Sequence, residues 1–166
     1  MTAEPVGLVV RVVGTADPLA KPLFDDLAHE YGTRYGGTAE QVRRELERYP
    51  AEEFAAPHGV LLLLLEDGAA VAGGAFRRYD ERTAELKRIW THPAHRRRGL
   101  ARRVLAELER RAVATGYDRS FLTTSPRQPE AKHLYLTSGY APRFDVTADP
   151  ETIGPLAFTK DLPTRA

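Results

Sequence analysis

The stretch WTHPAHRRRGLA, residues 90–101, decides how this chain folds. It reads as the end of a strand, a loop opened by Pro93, and the first turn of a helix spanning about residues 99–115. Ala101, Val104, Leu105, Leu108 and Ala112 recur at the spacing of one buried helix face. On the opposite face Glu107 stands four residues from both Arg103 and Arg111, and Gly116 closes the helix as a C-cap. The first N–H groups of a helix lack internal partners and lie at the positive end of its dipole, which makes a site for phosphate. Gly99 lets a ligand approach the backbone closely and Ala101 keeps the first turn small. Arg96, Arg97 and Arg98 add cationic donors able to pair with phosphate. A diphosphate-bearing cofactor is therefore expected at this turn. The same arginines also read as a solvated basic helix start or a nucleic-acid patch.

Working outward, residues 59–66, 71–79 and 83–91 read as three strands joined by polar turns at Asp67-Gly68 and Asp80-Glu81. Gly73-Gly74 inside the second of them suggests a bulge or a close backbone approach. Residues 119–124 form a further strand, residues 129–138 a helix ended by Gly139, and residues 140–146 and 155–162 the last strands. At the start, residues 6–13 are apolar and β-branched, and Asp17-Pro18 is a helix-start signal. Leu19, Leu23, Leu27 and Tyr31 then repeat every four residues, until Gly32 and Gly36-Gly37 break the helix. Thr38 followed by Gln41 resembles a capping box opening a second helix to about Arg48, and residues 50–59 are loop. The order is β-α-α-β-β-β-α-β-α-β-β, a mixed α/β chain. Residues 83–124 should form a right-handed parallel crossover within it.

Composition bounds the rest. A chain of 166 residues, without a repeat or linker-like stretch, reads as a single domain over residues 1–166. With 24 basic and 23 acidic side chains the net charge is +1, which gives no global field toward nucleic acid or an anionic membrane. Cysteine is absent, so disulfides, Cys-ligated zinc, iron–sulfur clusters and a thiol nucleophile are excluded. The longest apolar run, residues 60–65, is far short of the roughly 20 needed to span a bilayer. The N-terminus lacks a basic n-region and carries Arg11 inside its apolar stretch, so no signal peptide is visible and a cytoplasmic location is expected.

Arg96-Arg97-Arg98-Gly99-Leu100-Ala101 fits the R/Q-x-x-G-x-G/A signature of the GNAT (Gcn5-related) N-acetyltransferases. Downstream, Pro129-Glu130-Ala131-Lys132-His133-Leu134-Tyr135-Leu136-Thr137-Ser138-Gly139-Tyr140 resembles that family's second landmark, PEAxxLYxxxGY. The element order matches as well. The resemblance implies the GNAT fold, a central and mostly antiparallel sheet with one splayed parallel strand pair and flanking helices. It implies an acetyl-CoA-dependent N-acetyltransferase without a metal, in which acetyl-CoA lies in the gap between the strand ending near Thr91 and the strand 119–124. The backbone of Ile89, Trp90 and Thr91 would pair with the pantetheine arm, and the amides of residues 97–101 would hold the pyrophosphate. Tyr135 matches the position whose hydroxyl would protonate the leaving thiolate. Glu85 coincides with the glutamate that histone-acetylating members use as general base. Ala131 joins the cofactor surface, as does Gln128, which stands with Pro129 where many members have an asparagine. The first two helices and their loop would cover the acceptor, so Tyr31, Arg34 and Tyr35 become substrate-binding candidates, Arg34 for a carboxylate. Members are often homodimers, and no interface signature is visible in this chain.

Plainer readings stand beside these. Tyr135 shares a helix face with Ala131, Leu134 and Ser138 and also reads as a core tyrosine. Glu85 also reads as the surface partner of Lys87 or Arg78. His92 and His95 bracket Pro93, with no third metal ligand at helical or hairpin spacing. The expected acceptor is the primary amine of a small molecule or an amino-acid-like compound. Attack would be direct, in a ternary complex, since no cysteine is available for a covalent intermediate. The alternatives are protein N-terminal or lysine acetylation, a non-catalytic acyl-CoA-binding module, and a nucleic-acid binder.

Overall fold

The computed structural model describes residues 7–35, 38, 40–41, 44, 49–124, 129–149, 152–153 and 155–163, without the side chains of residues 31, 33–35 and 129. Strand β1 (Leu8–Val12) leads to a single 3-10 turn, Pro18–Ala20, which runs into helix α1 (Lys21–Tyr35). The Asp17 side chain caps that turn by accepting from the Leu19 N–H at 2.9 Å, as the Asp-Pro pair predicts. Helix α1 continues through Gly32 to Tyr35, so Gly32 is not its breaker. The Thr38–Gln41 capping box is formed in both directions, with bonds of 2.8 and 3.1 Å. Most of the helix expected after it, at residues 39, 42–43 and 45–48, lies outside the described residues.

Strands β2 (Val60–Glu66), β3 (Ala69–Arg78) and β4 (Thr83–Thr91) follow as an antiparallel meander. Asp67 and Gly68, both at positive φ (51° and 82°), make the tight turn between the first two. Helix α2 (Leu100–Thr115) crosses over to β5 (Arg119–Thr124). Helix α3 (Pro129–Thr137), β6 (Ala141–Pro142) and β7 (Leu156–Asp161) complete the order. The sheet runs β1-β2-β3-β4-β5-β7-β6. All neighbours are antiparallel except β4 and β5, the expected parallel crossover. The strand expected over residues 140–146 shrinks to two residues. The Asp145 side chain takes the N–H (2.9 Å) and hydroxyl (2.6 Å) of Thr147, and this local turn competes with the ladder.

The run 60–65 is apolar throughout because β2 is covered on both faces. Leu61, Leu63 and Leu65 pack with Ala20, Leu23 and Leu27 of the α1 layer. Leu62 and Leu64 pack with Val104, Leu105, Leu108 and Ala112 of α2. Of the face that spacing predicts, these four are buried while Ala101 is only half-buried, and Leu100, 4% exposed, joins them.

The sheet is interrupted at its centre. Thr83, Ala84 and Glu85 pair with Arg119, Ser120 and Phe121, and beyond that the two strands separate. Just past this point β4 carries a bulge: Lys87 stands opposite Ala75 and Trp90 opposite Gly73, so three steps of β4 meet two of β3. Arg88, inside the bulge, adopts φ 59°. The glycine pair across from it is required by close approach. A Cβ on Gly74 would come within 2.9 Å of Ile89 Cδ1 and Val104 Cγ1, and one on Gly73 within 2.8 Å of the Leu62 carbonyl oxygen.

Candidate active site

Where β4 ends, His92 caps the 3-10 turn Pro93–His95, its Nδ1 accepting from the Ala94 N–H at 3.0 Å. The backbone then passes through two left-handed residues, Arg97 (φ 65°) and Gly99 (φ 74°), and enters α2. Gly99 is the N-cap of α2 and supplies no side-chain bond. The first helical carbonyl, that of Gly99, accepts from Arg103 N–H at 3.2 Å. The amides of Leu100, Ala101 and Arg102 therefore have no carbonyl within the helix to bond, and the positive end of the α2 dipole is uncovered by any cap. A Cβ on Gly99 would meet no protein atom within 4 Å, so conformation rather than crowding within the protein calls for glycine there.

The three arginines of the turn divide. Arg96 donates to Glu30 of α1 at 3.0 Å, and Arg98 forms a two-pronged pair with Glu66 at the end of β2. The Arg98 guanidinium holds the Glu66 carboxyl below the usual glutamate range. Arg98 also contacts His95 Nδ1 at 2.7 Å, which must accept because a guanidinium only donates. Among the described residues Arg97 has no ion pair, and its side chain is exposed. Leu100 sends its side chain into the core, so only its amide faces a ligand.

Between this turn and the closed end of the crossover runs the gap between β4 and β5. One edge of β4 near Trp90 and Thr91 is paired with Gly73 and Ala72 of β3. The edge toward β5 has no strand against it past Glu85 among the described residues, and such an edge is a template for an added extended chain. The Trp90 ring turns to the α1 side, where its Nε1 donates to Asp26 at 3.1 Å.

The two catalytic candidates come from opposite layers. Tyr135, 6% exposed, lies in the α2 layer with its ring 6.0 Å from Tyr140 and 5.6 Å from Phe158. Ala131, one turn earlier on α3, is half-buried beside it. Glu85, 7% exposed, lies on the face of Tyr49, to which it is linked through Arg77. Arg77 Nη1 donates to Glu85 at 2.8 Å and Lys87 Nζ stands 3.8 Å away. Arg77 also donates to Glu53 at 2.7 Å, and that bond is the largest cause of its raised pKa. The pairing of β4 with β5 ends at Glu85 and Phe121, in the sheet that separates these two layers.

Several participants escape a reading by spacing. Arg77 and Glu53 are 24 residues apart, and no local pattern links them. Arg102 reaches from the first turn of α2 to the last turn of α3, donating to Thr137 Oγ1 at 2.6 Å and to its carbonyl at 3.3 Å. That ties the first turn of α2 to the helix of Tyr135. Behind Tyr135, the Tyr140 hydroxyl donates to Glu109 at 3.0 Å and lies 2.7 Å from Ser120 Oγ. Glu109 is held in turn by Lys160 at 2.8 Å. Burial and the Glu109 charge push the Tyr140 phenol far above its ordinary value. Tyr31, Arg34 and Tyr35 fall in the last turns of α1, with their side chains outside the described residues, as is all of Gln128. Among the described residues no cluster of three or more His, Asp or Glu could hold a metal, and no helix is long and apolar enough to cross a membrane.

Comparison with known proteins bears on this geometry. A profile described as "Acetyltransferase (GNAT) family" matches residues 22–140. The chain belongs to the GNAT acetyltransferase family. The matched span runs from α1 through α3 and includes the turn before α2, the gap, Glu85 and Tyr135. Solved structures share the fold of this GNAT chain over nearly its whole length. An acetyltransferase from Streptococcus agalactiae is 20% identical, with 95% of this chain and 99% of that one covered at TM-score 0.70. The PaiA N-acetyltransferase of Thermoplasma acidophilum, solved in complex with coenzyme A, is 15% identical, with 93% and 98% covered at TM-score 0.70. A GNAT acetyltransferase from Elizabethkingia anophelis with acetyl-CoA bound is 14% identical, with 95% and 100% covered at TM-score 0.64. No curated protein sequence matches the chain.

Proposed function

We propose that this GNAT protein transfers acetyl from acetyl-CoA to the primary amine of a small-molecule or amino-acid-like acceptor, by direct attack in a ternary complex. The observation that carries this reading is the conjunction of an uncapped α2 N-terminus with an unpaired β4 edge leading away from it. Pyrophosphate would bond the amides of Arg97 through Ala101, with the exposed Arg97 guanidinium beside it. The pantetheine arm would extend along Ile89, Trp90 and Thr91 toward Glu85, as an added strand. The complexes named for the Thermoplasma and Elizabethkingia proteins support coenzyme A as the ligand class.

In the reaction the neutral amine nitrogen attacks the acetyl carbonyl carbon. A C–N bond forms, the C–S bond breaks, and the thiolate takes up a proton, giving an amide and the free thiol. Tyr135 would supply the thiolate's proton as general acid and Glu85 would accept the proton from the attacking nitrogen, directly or through water. The bond from Arg77 to Glu85 favours a second role for this glutamate, because an arginine-paired carboxylate also organises the strand pair. Thiol release measured against a panel of amines, amino acids and peptides tests the activity. Tyr135→Phe is expected to lower kcat about 10–1000-fold with acetyl-CoA affinity nearly unchanged. An unchanged kcat would remove Tyr135 from the chemistry. For Glu85→Gln, loss of kcat together with the acid limb of the pH–rate profile marks a base. Lost stability with kcat retained marks the structural role instead.

A further inference from the structure

The β4 bulge changes which side chains face the α1 layer. In an unbroken strand Lys87 and Arg88 would point to opposite faces of the sheet, and Arg88 would enter the α2 core beside Leu86. The extra residue changes that alternation. Lys87 Nζ lies 4.6 Å from the centre of the Tyr49 ring. The Arg88 guanidinium lies 4.3 Å from that of Phe54 and 5.1 Å from that of Phe24. All three rings belong to the α1 layer, while Ile89 packs on the opposite face at Gly74. Two consecutive cations therefore stand on the α1 face, Lys87 beside Glu85 and Arg88 over Phe24 and Phe54, with a left-handed arginine at φ 59°. A backbone of that kind is strained for a residue with a side chain and clusters at ligand sites.

We propose that Lys87 and Arg88 form an anion subsite for the acceptor's own carboxylate, which makes the acceptor a free α-amino acid or a close analogue. This rests on the acyl-transfer reading above. Lys87 Nζ and Glu85 Oε2 are 3.8 Å apart, so one small zwitterion spans both, its amine at the glutamate and its carboxylate at the lysine. The aromatic rings beneath the cations exclude water and strengthen the attraction for an anion. A guanidinium stacked on rings keeps its donors in its own plane, the approach a carboxylate uses. A polyamine, by contrast, would meet Arg77, Lys87 and Arg88 with charges of the same sign.

The test compares free amino acids with their carboxamides and with the corresponding decarboxylated amines, using thiol release and a parallel calorimetric titration with acetyl-CoA. The acids are expected to exceed both neutralised series in kcat/KM by about 10–100-fold, the worth of a charged hydrogen bond. Lys87→Gln and Arg88→Asn should each shrink that preference about tenfold, and Lys87→Arg should retain it. Asparagine is chosen because it accepts the left-handed backbone. If either variant melts early, the wild-type preference decides alone. Equal use of acids and carboxamides overturns the inference and leaves the acyl-transfer reading standing. So does binding of acetyl-CoA with no amino acid bound or acetylated. Absence of both acetyl-CoA binding and thiol release overturns the acyl-transfer reading itself.

Discussion

Replacing Gly99 by alanine isolates the backbone geometry on which the proposed pyrophosphate site depends. Gly99 sits at φ 74°, and a Cβ there would find no protein atom within 4 Å, so the cost is conformational with no steric part from the protein. Holding alanine in the left-handed region costs about 1–2 kcal/mol. If the turn keeps its shape, that appears as lost stability. With a urea m-value of about 2 kcal/mol/M, the midpoint falls by roughly 0.5–1 M. If the turn relaxes instead, the amides of α2 lose their alignment, and the same energy appears as about 5–30-fold weaker acetyl-CoA binding. Urea denaturation and calorimetric titration on one preparation measure both shares. Gly99→Asn should recover most of the loss, since asparagine tolerates this conformation. A Gly99→Ala protein with wild-type midpoint and wild-type affinity would refute the reasoning.

Two further perturbations probe the frame around the site. Gly74→Ala forces a methyl to within 2.9–3.0 Å of Ile89, Val104 and Leu108. Overpacking outweighs the entropy gained, for a net loss of about 1–2 kcal/mol by urea denaturation, and an unchanged midpoint would mean the bulge has room to spare. Tyr140 has its pKa raised in the folded state, so above pH about 10 the unfolded chain loses a proton that the native protein keeps. Stability should then fall with rising pH by up to about 1.4 kcal/mol per unit from this group. Tyr140→Phe, less stable at neutral pH by about 1–3 kcal/mol through lost hydrogen bonds, should lack that alkaline component. Parallel alkaline curves for the two proteins would contradict the assignment.

The elements nearest the site are those most legible in the sequence. Strands β4 and β5 have their expected bounds, 83–91 and 119–124, because Pro93 ends the one and Gly116 closes the helix before the other. The Thr38–Gln41 capping box is equally local, and it formed. What spacing could not reveal is nonlocal. The bulge at Arg88 depends on the register of two strands, and its one trace in the sequence is the glycine pair on the partner strand. The partners of Arg96 and Arg98 lie 66 and 32 residues away, so an arginine run that suggests three phosphate ligands contains two that bind neighbouring carboxylates. Gly32 misleads because helix propensity is a weak prior against the packing of α1 on the sheet. Asp145 ends a strand that β-propensity alone would extend.

Calorimetric titration of the purified protein with acetyl-CoA tests the central claim most directly, with Arg97→Glu as the comparison. Binding is expected at one site per chain with Kd of about micromolar magnitude, weakened at least about tenfold by the charge reversal. No heat of binding at about 1 mM acetyl-CoA, or binding indifferent to Arg97→Glu, would contradict the assignment of the α2 N-terminus as the pyrophosphate site.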